Sequence, residues 1–423
     1  MTRDFIGIGL GPFNLGLACL TDPIDDLDGL FLEARDELAW HPGMLLDDAT
    51  LQVPFLADLV TMADPTSSWS FLNYLKQSGN LYPFYIRESF YPLRKEYDDY
   101  CRWAAERLAS VRFGQPVVEV EHDGTSYVVR TGPGEEHRAR RLVLGVGTTP
   151  SVPECFERVD APHSADYLTH KERLQSLDSI TIVGSGQSAA EIYHDLLAES
   201  HDHGYHLTWL TRSPRFFPME YTKLTLEMTS PEYTAYFQAL PELTRRRLLR
   251  EQRSLYKGIS GDLVDAIFDL HYRLRVTGDG PRTTLVTNTA VTGATHEDGR
   301  YVLELHHEET DESFGLRTDG LVLATGYSAT VPAFLDGVRE RIVFDEQDRY
   351  VVSSTYAIDR AGEEIFVQNA EEHSHGFVAP DLGMGAYRNS VLVAAMCGRE
   401  VYPVEKRIAV QSFGVPDHLR RAR

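Results

Sequence analysis

The sequence feature that most constrains the fold occurs twice: a short apolar strand runs into glycines and is followed by an apolar helix. Residues 5–9 lead into the first turn and residues 15–20 follow it, while residues 179–184 and 188–192 repeat the pattern far downstream. Strand, glycine turn and helix open a βαβ unit whose turn binds a dinucleotide. Two such units predict an α/β fold with two Rossmann-like dinucleotide-binding domains.

The first turn contains the residues expected to cradle a pyrophosphate, namely Gly7, Gly9, Gly11, Pro12 and Asn14. We expect Gly7 to allow the tight turn and Gly9 to let the backbone approach the phosphates at the positive end of the helix. Pro12 stands where the generic pattern has a third glycine, but proline is tolerated at the first helical position. Glu33, at the end of the next apolar strand, suits a ribose hydroxyl.

The second turn reads Gly184, Ser185, Gly186, Gln187 and Ser188, with alanine in the third slot of the pattern. The strand after it, residues 206–210, is followed by Arg212 and Arg215 instead of an acid. Arginines at that place suit the 2′-phosphate of NADPH, so we expect NADPH over NADH. The alternative is that both arginines are solvated loop residues. Two sites on one chain indicate one FAD and one exchanging nicotinamide nucleotide.

Two further strands, at residues 141–147 and 320–327, end in glycine and mark places where the chain can cross between domains. The second turn lies between them, so we expect an NADPH domain inserted into the FAD domain. The predicted segments are 1–172 for FAD, 173–320 for NADPH and 321–423 for the return of the FAD domain and a C-terminal tail. Residues 231–275 have helical spacing and predict a helical substrate region within the insert.

Composition excludes several classes. The net charge of −22 disfavours a nucleic-acid partner and weakly favours cationic small molecules, although solubility alone would also explain it. Four separated cysteines, without a C-x-x-C pair, exclude disulfide reductase chemistry, and no metal site is evident. Without a secretory signal or a stretch of about 20 apolar residues, we expect a cytoplasmic protein with no membrane span. An electron-transfer reductase and an oxygen-using monooxygenase both remain open.

Longer motifs separate these two classes. Residues 40–44 (WHPGM), 51–60 (LQVPFLADLV) and 64–75 (DPTSSWSFLNYL) resemble the lysine, ornithine and diamine N-monooxygenases of hydroxamate siderophore synthesis. The first glycine turn, the strand end at residues 324–327 (ATGY) and residues 373–376 (HSHG) fit the same family. The resemblance covers nearly the whole chain. A Baeyer–Villiger or sulfur-oxygenating flavoprotein would bring a linker fingerprint that this sequence lacks.

The resemblance implies that NADPH reduces FAD, that O₂ then forms a C4a-hydroperoxyflavin, and that a neutral amine takes up the distal oxygen. It implies Gln52 beside the flavin as the catalytic residue, and a homo-oligomer, either a dimer or a tetramer. The further cofactor contacts that it implies are Trp40, His41, Thr325, Gly326, Tyr327, His375, Leu382 and Met384.

One departure bears on the substrate. Amino-acid-hydroxylating members of this family have a lysine, which pairs with the substrate carboxylate, where this chain has Ala57. A buried carboxylate without a cation costs several kcal/mol, so the resemblance implies a short diamine, putrescine or cadaverine. The alternative within the family is lysine or ornithine, with Lys223, Lys257 or Arg253 replacing the missing cation. Ala57, Lys223, Tyr256 and Lys257 are therefore the candidate substrate residues. Outside enzymology, a flavin-bound regulatory protein is the alternative.

Overall fold

The computed structural model describes residues 2–278, 280–405 and 407–420. Its strands are β1 (Thr2–Ile8), β2 (Gly29–Leu32), β3 (Val111–Arg112), β4 (Val117–His122), β5 (Tyr127–Thr131), β6 (Glu136–Leu144), β7 (Thr149–Pro150), β8 (Ser179–Val183), β9 (His206–Leu210), β10 (Thr283–Val286), β11 (Thr289–Glu297), β12 (Arg300–His307), β13 (Glu312–Thr318), β14 (Gly320–Leu323), β15 (Tyr327–Ser328) and β16 (Ile365–Val367).

The α-helices of the same residues are α1 (Pro12–Thr21), α2 (Phe71–Gln77), α3 (Leu81–Ile86), α4 (Arg94–Ala105), α5 (Tyr167–Gln175), α6 (Gln187–His203), α7 (Lys223–Leu226), α8 (Pro231–Gln238), α9 (Glu242–Glu251), α10 (Gly261–Thr277), α11 (Glu372–His375) and α12 (Gly385–Cys397). Every helix that the structure describes is too short or too polar to cross a membrane.

The first sheet combines strands from the first 144 residues with one late strand, β16. Its strand order is β3-β2-β1-β6-β5-β4, with β16 paired to β6. Strands β1, β2, β3, β6 and β16 run parallel, and the β4–β5 hairpin adds an antiparallel edge. The second half of β1 is buried because apolar side chains pack on both faces of the sheet. Near-continuous apolar strands are typical of such parallel sheets.

The strands of the second sheet all come, in sequence, after β6 and before β16 of the first sheet. Strands β10, β9, β8 and β14 are all parallel, with β8 and its helix α6 carrying the second glycine turn. The chain then returns to the first sheet through β16. The predicted α/β fold with an inserted dinucleotide domain is confirmed.

The segment boundaries stay a prediction. Two of them can be compared with the positions of the strands and of the described residues. The boundary placed after residue 320 falls inside β14, which pairs with β8 in the second sheet. The last three residues of the predicted tail, 421–423, lie outside the described residues. Where the chain leaves and re-enters the first sheet, β7 and β15 pair with each other.

The helical region predicted over residues 231–275 is present as α8, α9 and most of α10. Tyr233 and Phe237 of α8 pack against Phe377 and Met384 from the returning segment. This small core joins the insert to the last part of the chain, next to the site described below.

A buried ion pair also joins the two sheets' layers. The Arg94 guanidinium, on α4, makes two hydrogen bonds of 2.7 and 2.9 Å to the Glu191 carboxylate on α6. Arg94 also donates to the Met44 carbonyl, and Gln187 donates to Glu191. Their side chains are only 12% and 5% exposed, so either charge would be unfavourable without its partner.

We predict that Arg94→Met destabilises the protein by about 3–5 kcal/mol, because it leaves the Glu191 carboxylate buried without its cation. The double variant Arg94→Met/Glu191→Leu should recover much of that loss. Urea unfolding followed by circular dichroism measures both. Arg399→Met, at the exposed Arg399–Asp26 pair, is the matched control and should change little. A loss in Arg94→Met no larger than the control's would contradict the prediction.

Candidate functional site

Both glycine turns open onto one cavity of about 1580 Å³. From the first turn, the cavity is lined by Gly9, Gly11, Pro12 and Asn14, and Glu33 lies beside them. From the second turn, Gly186, Gln187 and Ser188 reach the same cavity. Two dinucleotides bound at these turns would therefore meet inside one shared cavity.

The backbone at the first turn is fixed by close packing. Gly9 has a φ of +84°, and a Cβ atom there would lie 2.5 Å from the Gly145 carbonyl oxygen. Helix α1 begins at Pro12, as predicted from the sequence. Asn14 donates to the Gly9 carbonyl at 2.7 Å. The amides at the start of α1 thus face the cavity, where helix geometry favours a pyrophosphate.

Gly7 has a different place from the one predicted. It lies inside β1 and not in the turn, and it does not line the cavity. A Cβ atom at this position would lie 2.3 Å from a ring carbon of Phe31. A side chain here would overlap the Phe31 ring. Gly7 is therefore required for packing in the core.

Glu33 follows β2 and presents its carboxylate to the first turn. Its Oε2 accepts a 2.7 Å hydrogen bond from the Leu10 amide, and its Oε1 accepts one from Arg35. The side chain lines the cavity within reach of the turn, where an acid suits a ribose hydroxyl.

The middle of the cavity contains unpaired polar groups that suit a flavin. Gln52 Nε2 and Gln368 Oε1 are buried and have no hydrogen-bond partner among the described residues. Both side chains line the cavity, and Gln368 Nε2 donates to Asn14 Oδ1 at 2.7 Å. An amide donor and an amide acceptor facing an apolar cavity match the polar edge of an isoalloxazine ring. The residues present therefore fit FAD.

Three predicted aromatic residues, Trp40, His41 and Tyr327, line the cavity together. The His41 ring contacts Trp40 at 4.9 Å and Tyr327 at 6.0 Å between ring centroids. Desolvation, with Arg94 and Arg35 nearby, lowers the pKa of His41, whose side chain is exposed to the cavity. Gly326 and Leu382 also line the cavity, as expected for cofactor contacts.

The second turn is completed by side chains of α6 and α10. Gly186 precedes the first residue of α6, and Gln187 bridges Glu191 and the Ser260 amide. Gly184 lies at the end of β8 against the Ala324 backbone, outside the cavity. Arg212 and Arg215 follow β9 on the surface and form no ion pair among the described residues. Their free guanidinium groups fit a phosphate on a nucleotide bound at this turn.

His375 is not where the resemblance places it. Its ring stacks on Tyr356 at 4.6 Å and its nitrogens contact Ser374 and Gln238, so it is buried away from the cavity. Burial and the charge of Arg388 lower the pKa of His375 to about 3. His373, two residues earlier, lines the cavity instead. The four-residue helix α11 turns the two histidines in different directions.

Three more predicted residues lie outside the cavity lining. Met384 packs with Tyr233 and Phe237 in the small core. Thr325 donates to the Ser151 carbonyl at the crossing between the sheets. Lys223 is exposed at the first position of α7, so a direct role in binding a buried substrate does not follow from its position.

The remaining substrate candidates stand closer to the cavity. Tyr256 and Lys257 line it, and both contact Glu372: the Tyr256 hydroxyl donates at 2.6 Å, and Lys257 Nζ lies 3.6 Å from the carboxylate. Burial and Glu372 raise the pKa of Tyr256 far above its usual value. Ala57 is buried one layer behind the lining, beside Gly383.

Sequence reasoning missed Gln368, Glu372 and Tyr221. Gln368 follows a buried strand at the carboxyl edge of the first sheet, a position that could have been recognised. Tyr221 donates to the Gln52 carbonyl from a loop more than 160 residues away, and no local pattern predicts such a contact.

Comparison with known proteins agrees with this geometry. A family model described as L-lysine 6-monooxygenase/L-ornithine 5-monooxygenase matches residues 1–329. The chain is 47% identical over 419 residues to the putrescine N-hydroxylase of Shewanella oneidensis, covering 97% of this chain and 84% of that relative.

Two solved structures are similar over nearly the whole length. The FAD-bound cadaverine monooxygenase of the desferrioxamine biosynthetic pathway from Erwinia amylovora has a TM-score of 0.96 at 52% identity, covering 98% of this chain and 99% of that chain. The Kutzneria sp. 744 ornithine N-hydroxylase with reduced FAD, NADP⁺ and L-ornithine has a TM-score of 0.86 at 28% identity, covering 94% and 99%.

The first glycine turn gives a prediction that separates folding from cofactor binding. A Cβ atom at Gly11 would meet nothing within 4 Å, whereas one at Gly9 would strike backbone. Gly11→Ala apoprotein should therefore unfold like the wild type but bind FAD at least about tenfold more weakly, while Gly9→Ala should destabilise the apoprotein itself. Thermal unfolding and flavin fluorescence titration measure the two effects. Gly261→Ala, at an open position on α10, is the control. Equal FAD affinity in Gly11→Ala and Gly261→Ala would refute the assignment of the first turn to FAD.

The two surface arginines give a second prediction. Replacing Arg212 and Arg215 together by glutamine should raise KM for NADPH by about 10- to 100-fold and leave KM for NADH nearly unchanged, because only NADPH carries the 2′-phosphate. Steady-state oxidation of each nucleotide measures this. Arg317→Gln, at an exposed position on β13, is the control. Equal losses with both nucleotides would show that these arginines do not contact the phosphate.

Proposed function

The chain belongs to the L-lysine 6-monooxygenase/L-ornithine 5-monooxygenase family, and we propose that its substrate is a short aliphatic diamine, putrescine or cadaverine. It is a flavin-dependent N-hydroxylating monooxygenase that uses FAD and NADPH. The proposed reaction converts one terminal primary amine to a hydroxylamine with O₂, as a step in hydroxamate siderophore synthesis.

The observation that carries the proposal is that, among the described residues, no free cation is present at Ala57 or at the three positions considered as replacements for the missing lysine. Ala57 offers no charge, and the three candidate replacements do not supply one. Lys223 and Arg253 are exposed and do not line the cavity. Lys257 does line it, but its ammonium group already lies 3.6 Å from the Glu372 carboxylate. An amino-acid substrate would leave its α-carboxylate without a partner, at a cost of several kcal/mol.

Two relatives support the same choice of substrate class. The chain is 47% identical to a protein named putrescine N-hydroxylase and 52% identical to a cadaverine monooxygenase of desferrioxamine biosynthesis. It is only 28% identical to the ornithine N-hydroxylase with a similar fold. The higher identities fall on proteins whose named substrates lack an α-carboxylate.

The reaction divides between cofactors and protein. Bound FAD, reduced by NADPH, supplies the activated oxygen. In this proposal Gln52 would orient the flavin; its unpaired Nε2 and the hydrogen bond from Tyr221 to its backbone carbonyl support that role. Apolar side chains in the cavity lining, among them Trp40 and Leu382, would shield the bound flavin from water. The same apolar surroundings favour the neutral form of the entering amine, which needs a free lone pair to react.

We infer further that the enzyme works in the cytoplasm as a homo-oligomer. NADPH is a cytoplasmic reductant, and the cysteines of the described residues are free thiols. Helix α3 supports self-association because Tyr82, Tyr85 and Ile86 share one face and are each more than 70% exposed. Apolar surface of that kind is typical of protein interfaces.

The proposed substrate class is tested by assaying four amines separately. With FAD and NADPH, putrescine and cadaverine should give hydroxylamine coupled to NADPH oxidation, whereas lysine and ornithine should give at most peroxide. The two pairs have matched chain lengths, and the α-carboxylate is what distinguishes them. Hydroxylamine from the amino acids alone would overturn the diamine proposal. Peroxide without hydroxylamine from every amine would overturn N-hydroxylation itself.

A further inference from the structure

A diamine brings a second charge into the site, and this charge needs its own partner. Only one amine can be neutral and react; the other remains an ammonium group at physiological pH. An ammonium group taken out of water requires a carboxylate or several hydrogen-bond acceptors. The structure should therefore hold an anion near the place where amino-acid-hydroxylating relatives hold a cation.

Asp381 stands at that place. It precedes the turn Leu382–Met384, and its Oδ1 accepts a 2.7 Å hydrogen bond from the Gly383 amide. The position that a Cβ atom would take on Gly383 is 3.1 Å from Asp381 Oδ1 and 3.8 Å from Ala57 Cβ. The carboxylate and the small side chain of Ala57 therefore flank the same point.

Asp381 also lies close to the proposed flavin contact. Its neighbours in sequence, Pro380 and Leu382, line the cavity together with Gln52. The Tyr221 phenol, which donates to the Gln52 carbonyl, has its pKa raised by burial and by the charge of Asp381. Asp381 itself lies just behind the cavity lining, close to Ala57 and to the Tyr221 contact with the Gln52 segment.

The Asp381 carboxylate lacks an ion-pair partner in the described part of the protein. Among the residues that the structure describes, no Lys or Arg forms an ion pair with it, and Oδ1 alone has a hydrogen-bond donor. Burial raises the pKa of this carboxyl group, and the Gly383 amide and the nearby charge of Arg388 offset that rise only in part. A bound ammonium group would reverse that shift.

Three other carboxylates of the segments that hold Ala57 and Asp381 are already paired. Glu371 lies 3.1 Å from the buried Arg388 guanidinium, and Glu372 is bound by Tyr256 and Lys257. Asp58, next to Ala57 in sequence, accepts hydrogen bonds from the amides of Val60, Thr61 and Phe71. Asp381 is the carboxylate in this set whose second oxygen stays available.

We propose that Asp381 binds the non-reacting ammonium group of the diamine and is a specificity-determining residue. It selects diamines over monoamines by attraction, and it selects against amino acids by repelling their α-carboxylate. The inference rests on the proposed diamine substrate. In this inference, substrate choice depends on the negative charge of Asp381 as well as on the lysine that is missing at Ala57.

The test compares each diamine with the n-alkylamine of the same length, putrescine with butylamine and cadaverine with pentylamine. Asp381→Asn keeps the acceptor for the Gly383 amide and removes the charge. We expect kcat/KM for the diamines to fall at least about thirtyfold, with kcat/KM for the monoamines, FAD affinity and amine-free NADPH oxidation unchanged. Asp123→Asn, which removes a carboxylate capping a similar turn on the far hairpin, should leave both substrates unaffected.

A second variant keeps the charge and moves it. Asp381→Glu should shift preference toward the shorter diamine, because the longer side chain brings the carboxylate closer to the reacting centre. It also decides the matter if the asparagine variant fails to fold. An unchanged diamine-to-monoamine ratio in Asp381→Asn, equal loss of both substrates, or an unchanged length preference in Asp381→Glu would each overturn the inference. Failure of the wild type to hydroxylate any diamine would instead overturn the proposed function.

Discussion

The site depends on how Asn14 holds the backbone around the first glycine turn. This fully buried amide donates to the Gly9 carbonyl and accepts from Gln368, which lies more than 350 residues later in the chain. The contact joins α1 to the residue that follows the returning strand β16, so the cavity wall is complete only when the early and late parts of the first domain have assembled. Removing a buried amide from such a network would leave its partners unsatisfied.

A second constraint fixes the insert against this frame. The Arg94–Glu191 pair connects α4 to α6 just beyond the second turn, and the small core around Phe237 and Phe377 joins the helical region to the returning segment. Together they make both glycine turns face one cavity. The Asp381 carboxylate, just behind the cavity lining, has no ion-pair partner among the residues that the structure describes. A carboxylate without a cation partner is the feature that connects the fold to a dicationic substrate.

The sequence predicted the parts of the molecule that local rules determine. Strand, glycine turn and helix specify the two Rossmann units, and Pro12 is the first residue of α1 as its missing N–H predicts. Side-chain direction is less accessible, because it depends on packing between distant segments. Gly7 accommodates Phe31 instead of forming the turn, and α11 turns His375 away from the cavity while His373 faces it. Asp381 has no motif around it that signals an unpaired charge; only its position beside Ala57 and Tyr221 does so.

The central claim is that the site accepts a second positive charge and rejects a carboxylate. The most direct measurement is a competition between equimolar cadaverine and L-lysine, which have the same chain length and differ only in the α-carboxylate. The holoenzyme is supplied with limiting NADPH, and mass spectrometry quantifies the two hydroxylamines from one reaction. The account predicts N-hydroxycadaverine almost exclusively. Comparable amounts of both products, or an excess of N⁶-hydroxylysine, would contradict it.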